Sequence, residues 1–244
     1  MTPISAVIIT FNEAGRVAGA IASLSCCDEV LVVDSGSTDR TCDIARECGA
    51  RVIVRPWEGY ARQKNFAATA AAHDWILSID ADERLSIELA NEIAAWKQRP
   101  PQAAAASMPR RVFYFGRWIS HSGWYPDRKI RLYNRNAGTW VGDFVHETLE
   151  VKGSVVTLSG DLLHFPYRTW EDQIRRADRY TRLAADQAKR SGRRGNPFRL
   201  ILGPPLSFLH TFIVRGGFLD GWRGAAIAWA GARYVLLREF RILR

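Results

Sequence analysis

Asp74-Trp75-Ile76-Leu77-Ser78-Ile79-Asp80-Ala81-Asp82-Glu83 is an apolar run of strand length that ends in three carboxylates within four residues. Ionised carboxylates are costly to bury unless a cation or a hydrogen-bond donor meets them. Two aspartates flanking one small residue at a strand end are placed to share a hard divalent ion, with water and substrate phosphates completing its shell. The alternative is a solvated acidic turn ahead of a helix, where the N-terminal dipole favours Asp and Glu. On either reading Glu83 is placed at the start of the following helix. The surrounding chain decides between them.

Upstream, Ile4 to Thr10 and Glu29 to Val33 are near-continuous apolar runs, as expected of strands buried on both faces. Ala14 to Leu24 between them has helical spacing, with Val17, Ile21 and Leu24 on one face. A helix reaching Cys48 follows Asp34-Ser35-Gly36-Ser37-Thr38-Asp39, with Ser37 or Thr38 as its cap. Arg51 to Val54 reads as a third strand, Gly59 to Ala72 as a third helix and Trp75 to Ile79 as the fourth strand. Strands alternating with helices imply βαβ units and a parallel sheet. In such sheets ligands bind beyond the carboxyl ends of the strands, where the strand order reverses. Those ends carry Phe11-Asn12-Glu13, Asp34-Ser35-Gly36 and Asp80-Ala81-Asp82, so polar groups converge where the architecture puts a ligand.

Downstream, Ser86 to Gln98 is expected to be helical and to close at Arg99-Pro100-Pro101. Residues 104–165 are β-rich (Val112 to Phe115, Ile130 to Tyr133, Ser154 to Leu158), with Gly, Pro and Asn turns, and extend the sheet in antiparallel fashion. Thr169 to Arg190 is a charged helix, and Asn196 to Arg244 is apolar with interspersed arginines, glycines and tryptophans. The 244 residues carry a net charge of +9. Residues 1–164 hold 18 Lys+Arg against 19 Asp+Glu, and residues 165–244 hold 16 against 6, so the positive charge belongs to the last third.

Cys26, Cys27, Cys42 and Cys48 have no metal-type or disulfide-framework spacing and read as buried small hydrophobes in a reducing compartment. No signal peptide is expected, because the N-terminus lacks a basic, apolar and cleavage-site succession. The longest uncharged apolar run, Leu200 to Val214, has 15 residues and contains Pro204, Pro205 and His210, short of a spanning helix.

A dinucleotide fold would need Gly-x-Gly-x-x-Gly after the first strand, and a P-loop would need Gly-Lys-Ser/Thr; neither is present. Instead Ile8-Ile9-Thr10-Phe11-Asn12-Glu13, Val32-Val33-Asp34-Ser35-Gly36-Ser37-Thr38-Asp39-Arg40-Thr41 and Leu77-Ser78-Ile79-Asp80-Ala81-Asp82-Glu83 occur in that order. They resemble the donor half of family 2 glycosyltransferases, which have the GT-A fold. Gln63-Lys64-Asn65, Tyr125-Pro126-Asp127-Arg128-Lys129-Ile130-Arg131-Leu132-Tyr133, Val145-His146-Glu147 and Gly217-Phe218-Leu219-Asp220-Gly221 resemble the branch that glucosylates an inner-core heptose of bacterial lipopolysaccharide. The chain departs from the family at Ser35, where many members carry a second aspartate that contacts the nucleobase.

The resemblance implies an α/β fold: a Rossmann-like, mostly parallel sheet with an antiparallel extension and a C-terminal helical membrane-associating segment. Residues 1–165 would be the catalytic domain, with a nucleotide-sugar half at 1–99 and an acceptor half at 100–165. Residues 166–244 would be a basic helical attachment region. The implied reaction is inverting transfer of a sugar, glucose by resemblance, from a UDP-sugar to a lipid-linked lipopolysaccharide core saccharide. Such a reaction must stabilise a departing diphosphate with a cation and activate a weak hydroxyl with a carboxylate. Asp82 matches the principal ligand of a divalent cation (Mg2+ or Mn2+), and Asp80 matches its nucleotide-side partner. Thr10, Phe11, Glu13 and Asp34 fall at the nucleotide-sugar edge. Lys64 matches a cation near the donor phosphates, its alternative being a solvated helix lysine.

Glu147 is the expected base, with an apolar neighbourhood to raise its pKa; Asp127 and Asp143 are the reserves. His146 could orient Glu147, approach the metal or satisfy a core hydrogen bond, while His73, His121 and His164 are read as structural. Two rivals remain: a polyprenyl-phosphate sugar transferase with the same donor half, and a non-catalytic basic module on anionic lipid or nucleic acid. The first reading takes an anionic membrane surface and no nucleic acid as partner, at the cytoplasmic face of the bacterial inner membrane. In the tail, Pro204-Pro205 is expected to interrupt the apolar residues, and Trp222 and Trp229 to anchor them at the interface, among arginines that include Arg193, Arg194, Arg199, Arg215 and Arg223.

Overall fold

The structure, a computed structural model, describes residues 1–99, 102–142, 147–193 and 195–244. In chain order the first half runs β1 (Ile4–Thr10), α1 (Val17–Ala22), β2 (Glu29–Asp34), α2 (Thr41–Glu47), β3 (Arg51–Val54), α3 (Tyr60–Ala70), β4 (Trp75–Asp80), β5 (Glu83–Leu85) and α4 (Ile87–Lys97). There follow β6 (Ala105–Tyr114), β7 (Arg117–Trp118), β8 (Asp127–Asn134), β9 (Gly138–Val141), β10 (Thr148–Val151), β11 (Val155–Thr157) and β12 (Leu162–His164). The last third holds α5 (Trp170–Arg190), α6 (Pro197–Leu209), a π-helical turn (His210–Val214), a 3-10 turn (Gly217–Asp220) and α7 (Trp222–Leu243).

The main sheet has the order β3-β2-β1-β4-β8-β6-β12-β5, with β7 and β11 also paired to β6. β3, β2, β1 and β4 are parallel, and β8 meets β4 antiparallel, which is the GT-A arrangement expected from the sequence. β1 and β4 are central and almost wholly buried, which accounts for their lack of polar alternation. Each fully buried aliphatic side chain, such as Leu77 or Ile79, contributes about 1.5–3 kcal/mol. The strand order reverses between β1, which neighbours β2, and β4. There the register aligns Thr10 with Asp34 and Ile9 with Asp80, bringing three strand ends to one edge.

Several local expectations are corrected. α2 begins at Thr41 with no side-chain cap, because Ser37 is bonded to Asp34 and the backbone of Thr38 to Asn12. The amide of Thr41 is met by Asp39 instead. Glu83 does not begin a helix. β5 pairs antiparallel with β12, matching Glu83 with His164, and Ser86 caps α4 by accepting from the Leu89 amide. α6 runs through Pro204 and Pro205 without interruption, although neither proline can donate to the preceding turn. With the π-helical turn it makes an 18-residue stretch, Pro197–Val214, long and apolar enough by length and composition to cross a membrane, with none of it buried. Three cysteines are half-buried and Cys48 is exposed, so the expectation of buried thiols does not hold for Cys48.

The chain divides into two compact units, residues 1–110 with 128–164, and residues 111–127 with 165–244. Segment 111–127, placed in the acceptor half by the sequence reading, therefore clusters with the C-terminal residues. The reason is aromatic packing: Phe115 stacks on Trp170 at 4.1 Å between centroids, and Phe113 packs on Phe165. Val112, Tyr114, Ile119 and Ile227 form the small core of this second unit.

Candidate active site

Asp80 ends β4 with its carboxylate 32% exposed and both oxygens engaged. Oδ1 lies 3.1 Å from Lys64 Nζ, and Oδ2 accepts from the Arg131 guanidinium at 2.8 Å. Burial alone would raise its pKa, but Arg131 and Lys64 outweigh burial and hold Asp80 well below the usual carboxylate range. Arg131 enters from β8 and also donates to Glu83 Oε1 at 2.7 Å. Burial opposes its charge, yet Asp80 and Glu83 raise its pKa further above the ordinary arginine value.

Glu83 is fully buried in β5, which corrects the expectation that it opens the following helix. Besides Arg131 it accepts from Arg110 at 3.2 Å, and its Oε2 accepts from the Asp80 amide at 3.0 Å. The acidic run is thus an internal charge network.

Lys64 is only 1% exposed, which excludes the solvated-lysine alternative. Its Nζ bridges Asp80 and Glu147 Oε1, each at 3.1 Å, and sits 4.4 Å from the centroid of the Trp140 ring. Its neighbours in α3 fix the surroundings. Asn65 accepts from the Trp140 amide at 2.9 Å and donates to the Trp140 carbonyl at 2.8 Å, pinning β9 against the helix. Gln63 donates to Ser35 Oγ and to the Arg55 carbonyl, each at 3.3 Å.

Glu147 immediately precedes β10, 21% exposed. The apolar neighbourhood expected for it is replaced by the ammonium of Lys64, because the β9–β10 pair lies over α3. Of the reserves, Asp127 opens β8 and belongs to the second unit, whereas Asp143, and with it His146, lies outside the described residues. Arg194 of the tail also lies outside them.

Asp82 feels the charge of Asp80 but has a different ion-pair partner. Its Oδ2 is 3.6 Å from Nε2 of His164, the last residue of β12, and no third acidic or sulfur-bearing side chain among the described residues completes a metal cluster. Burial would raise the Asp82 pKa, and His164 more than offsets that, leaving it lowered. A separation of 3.6 Å is too long for a hydrogen bond. The other ring nitrogen of His164 is buried with no hydrogen-bond partner among the described residues. A carboxylate and an imidazole aimed at each other beyond bonding distance suit a divalent ion between them, with phosphate and water supplying the remaining ligands. Asp80, expected to share the ion with Asp82, is engaged by Lys64 and Arg131, which leaves Asp82 and His164 as the pair that could hold a divalent ion. His164, read as structural from the sequence, is brought to Asp82 by a strand of only three residues, too short to be read from periodicity.

At the nucleotide edge Phe11 is exposed, and Asn12 adopts a left-handed φ of 55°. Asn12 is tied to the neighbouring loop through Ser37 Oγ and the Thr38 amide, and the Glu13 amide donates to Thr41 Oγ1. Glu13 also pairs with Arg16 at 3.3 Å. Asp34, fully buried, accepts from Thr10 Oγ1 at 2.8 Å, Ser37 Oγ at 2.6 Å, and the amides of Gly36 and Ser37. Burial alone would raise its pKa; those donors, Ser37 foremost, lower it overall. Its carboxylate thus faces its own loop, and Thr10 helps to hold it there.

A family model described as Glycosyl transferase family 2 matches residues 5–149 of the chain. The chain is a family 2 glycosyltransferase. This glycosyltransferase is 34% identical to a lipopolysaccharide core biosynthesis glycosyltransferase, LpsC, of Rhizobium meliloti, over 98% of this chain and 92% of that relative. Among solved structures it is similar to Staphylococcus aureus TarS, with 15% identity, 98% of this chain and 89% of that one covered, and a TM-score of 0.49. It is also similar to glucosyl-3-phosphoglycerate synthase from Mycobacterium tuberculosis, solved with Mn2+, uridine diphosphate and glucosyl-3-phosphoglycerate. There the identity is 25%, the coverage 46% of this chain and 44% of that one, and the TM-score 0.36.

Proposed function

We propose that this glycosyltransferase moves glucose, with inversion, from UDP-glucose to a lipid-linked lipopolysaccharide core saccharide at the cytoplasmic face of the bacterial inner membrane. The observation that carries this reading is the position of Lys64, which joins Asp80 at the sheet edge to Glu147 beside the β9–β10 pair. The relative named for lipopolysaccharide core biosynthesis supports the acceptor class.

The acceptor oxygen forms a bond to the anomeric carbon as the bond from that carbon to the diphosphate breaks on the opposite face. Glu147 takes the proton of the attacking hydroxyl. Lys64 and Arg131 supply positive charge, already fixed by Asp80, Glu83 and Glu147, on the side where the diphosphate departs. A divalent cation, Mg2+ or Mn2+, held by Asp82 and His164 would supply Lewis-acid stabilisation of that leaving group. Phe11 packs against the base or ribose, and the loop shaped by Asp34 presents Ser35 to the nucleotide.

The lipid acceptor is met by peripheral attachment. The exposed apolar side chains of α6 enter the acyl boundary while arginines stay among headgroups. A spanning orientation would draw neighbouring arginines toward hydrocarbon, at roughly 2.5–3.5 kcal/mol each at its centre.

Thermal denaturation with a panel of nucleotide sugars tests the proposal, since a ligand of the native state raises its stability by mass action. UDP-glucose with Mn2+ is expected to raise Tm more than other nucleotide sugars. A panel in which no nucleotide sugar shifts Tm contradicts the reading.

A further inference from the structure

Gly217-Phe218-Leu219-Asp220-Gly221 is absorbed by no step above, yet it is tightly built. Asp220, 3% exposed, receives the amide of Ser120 at 3.3 Å, the amide of His121 at 3.2 Å and Ser122 Oγ at 2.9 Å. Its Oδ1 also meets His121 Nδ1 at 3.2 Å. The Ser122 amide donates to the Arg215 carbonyl at 2.9 Å, so the backbones bearing His121 and Arg215 are stitched together. Glycine is required at this crossing. A Cβ on Gly224 would stand 1.7 Å from the Gly217 carbonyl oxygen, and one on Gly217 would stand 2.8 Å from that of Thr211.

What this scaffold displays is one-sided. Arg215 is exposed and its Nε lies 3.3 Å from His210 Nε2; the imidazole of His121 is 41% exposed. With Nδ1 facing a buried carboxylate, the Nε2 edge of His121 is the one left for a ligand. Apolar side chains flank Arg215 in sequence on both sides: Leu209, Ile213 and Val214 before it, then Phe218, Leu219 and Trp222, all exposed. Asp220 is the only acid between Gly195 and Arg238, and its charge is turned inward under His121.

We propose that Arg215 and His121 form a binding site for the phosphate of an anionic lipid headgroup, with Phe218 and Leu219 entering the acyl boundary beside it. The argument is one of complementarity. An apolar rim suits acyl chains, Arg215 is cationic and the His121 ring can donate, and the Asp220 carboxylate, which would repel a phosphate, is buried in hydrogen bonds. This site rests on the peripheral-attachment reading and gives that attachment a specific headgroup contact.

Flotation of the full chain with phosphatidylcholine–phosphatidylglycerol vesicles, and with phosphatidylcholine alone, tests it. Arg215→Gln and His121→Ala are each expected to lower partition into the anionic vesicles by about tenfold, as loss of a hydrogen bond to a charged group would. Arg199→Gln, which removes an equal charge from the same tail, is expected to lower it by no more than about fivefold, the share of one diffuse surface charge. Equal losses for Arg215→Gln and Arg199→Gln overturn the site while leaving membrane attachment standing. A wild-type protein that floats with neither vesicle overturns both. Two further outcomes overturn the lipid claim: calorimetric binding of inorganic phosphate with partition unchanged in the variants assigns the site to free phosphate. Self-association in sedimentation, with no flotation, assigns the face to a second copy of the chain.

Discussion

Lys64 Nζ lies 3.1 Å from Glu147 Oε1 and is almost wholly removed from solvent. The two residues are 83 positions apart, and their contact joins α3 to the proposed base. The same ammonium touches Asp80, so one side chain joins both carboxylates.

Removing that ammonium leaves two partly buried carboxylates facing each other. Lys64→Gln is expected to lower stability by about 3 kcal/mol, the lower end for breaking a buried pair, because both carboxylates keep some access to water. Chemical denaturation measures the loss. A variant with the wild-type midpoint would show that the pair has no structural weight.

Glu83 offers a sharper contrast between sequence and structure. An exposed acid at a helix start would tolerate Glu83→Gln within a few tenths of a kcal/mol, whereas this one is buried against Arg131, Arg110 and the Asp80 amide. The substitution is expected to lower Tm clearly and to reduce transfer, since Arg131 loses one of its two carboxylates. A thermal scan decides, and an unchanged Tm would show that the Glu83 network has no structural weight.

The depressed pKa of Asp34 makes a pH prediction. A carboxyl whose folded pKa lies below its unfolded value contributes stability that is present above the unfolded pKa of about 3.9. That contribution is lost as pH falls through the folded value. Asp34→Asn should therefore be less stable than wild type at neutral pH, with the gap closing in acid. Urea midpoints of both proteins between neutral and acid pH give the difference directly, and a gap that widens in acid contradicts the assignment.

Asp82 and His164 are expected to hold the divalent cation together. Asp82→Asn and His164→Ala should each weaken Mn2+ binding, by about 10–100-fold or more for a lost ligand or its support. Isothermal titration of Mn2+ in the presence of UDP reads this without turnover. Wild-type affinity in His164→Ala would return the second ligand to Asp80.

The parallel half of the sheet was legible because β1, β2 and β4 are buried on both faces and so read as continuous apolar runs. The starts of α4 and α5 were read within one residue, and the structure shows Ser86 and Thr169 capping them by accepting a backbone amide. β5 and β12 were not legible, being three residues each, too short for any periodicity to register. That failure hid both the burial of Glu83 and the approach of His164 to Asp82. Arg131 was visible only as a charge inside Ile130-Arg131-Leu132. Which carboxylate it would meet depends on the antiparallel register of β8 against β4, a long-range pairing that no local pattern encodes. The motif at 217–221 was seen as a resemblance, but its physical sense lies in contacts with residues 120–122, about a hundred positions away.

The most direct test of the proposed chemistry is transfer of labelled glucose from UDP-glucose to core-truncated lipopolysaccharide by wild type and Glu147→Gln. The substitution keeps the shape of the side chain and removes its ability to accept a proton. Turnover is expected to fall by about 10²–10⁴-fold, the contribution of a single general base, while UDP-glucose binding with Mn2+ persists. A loss of less than tenfold with intact binding would contradict the assignment of Glu147 as the base.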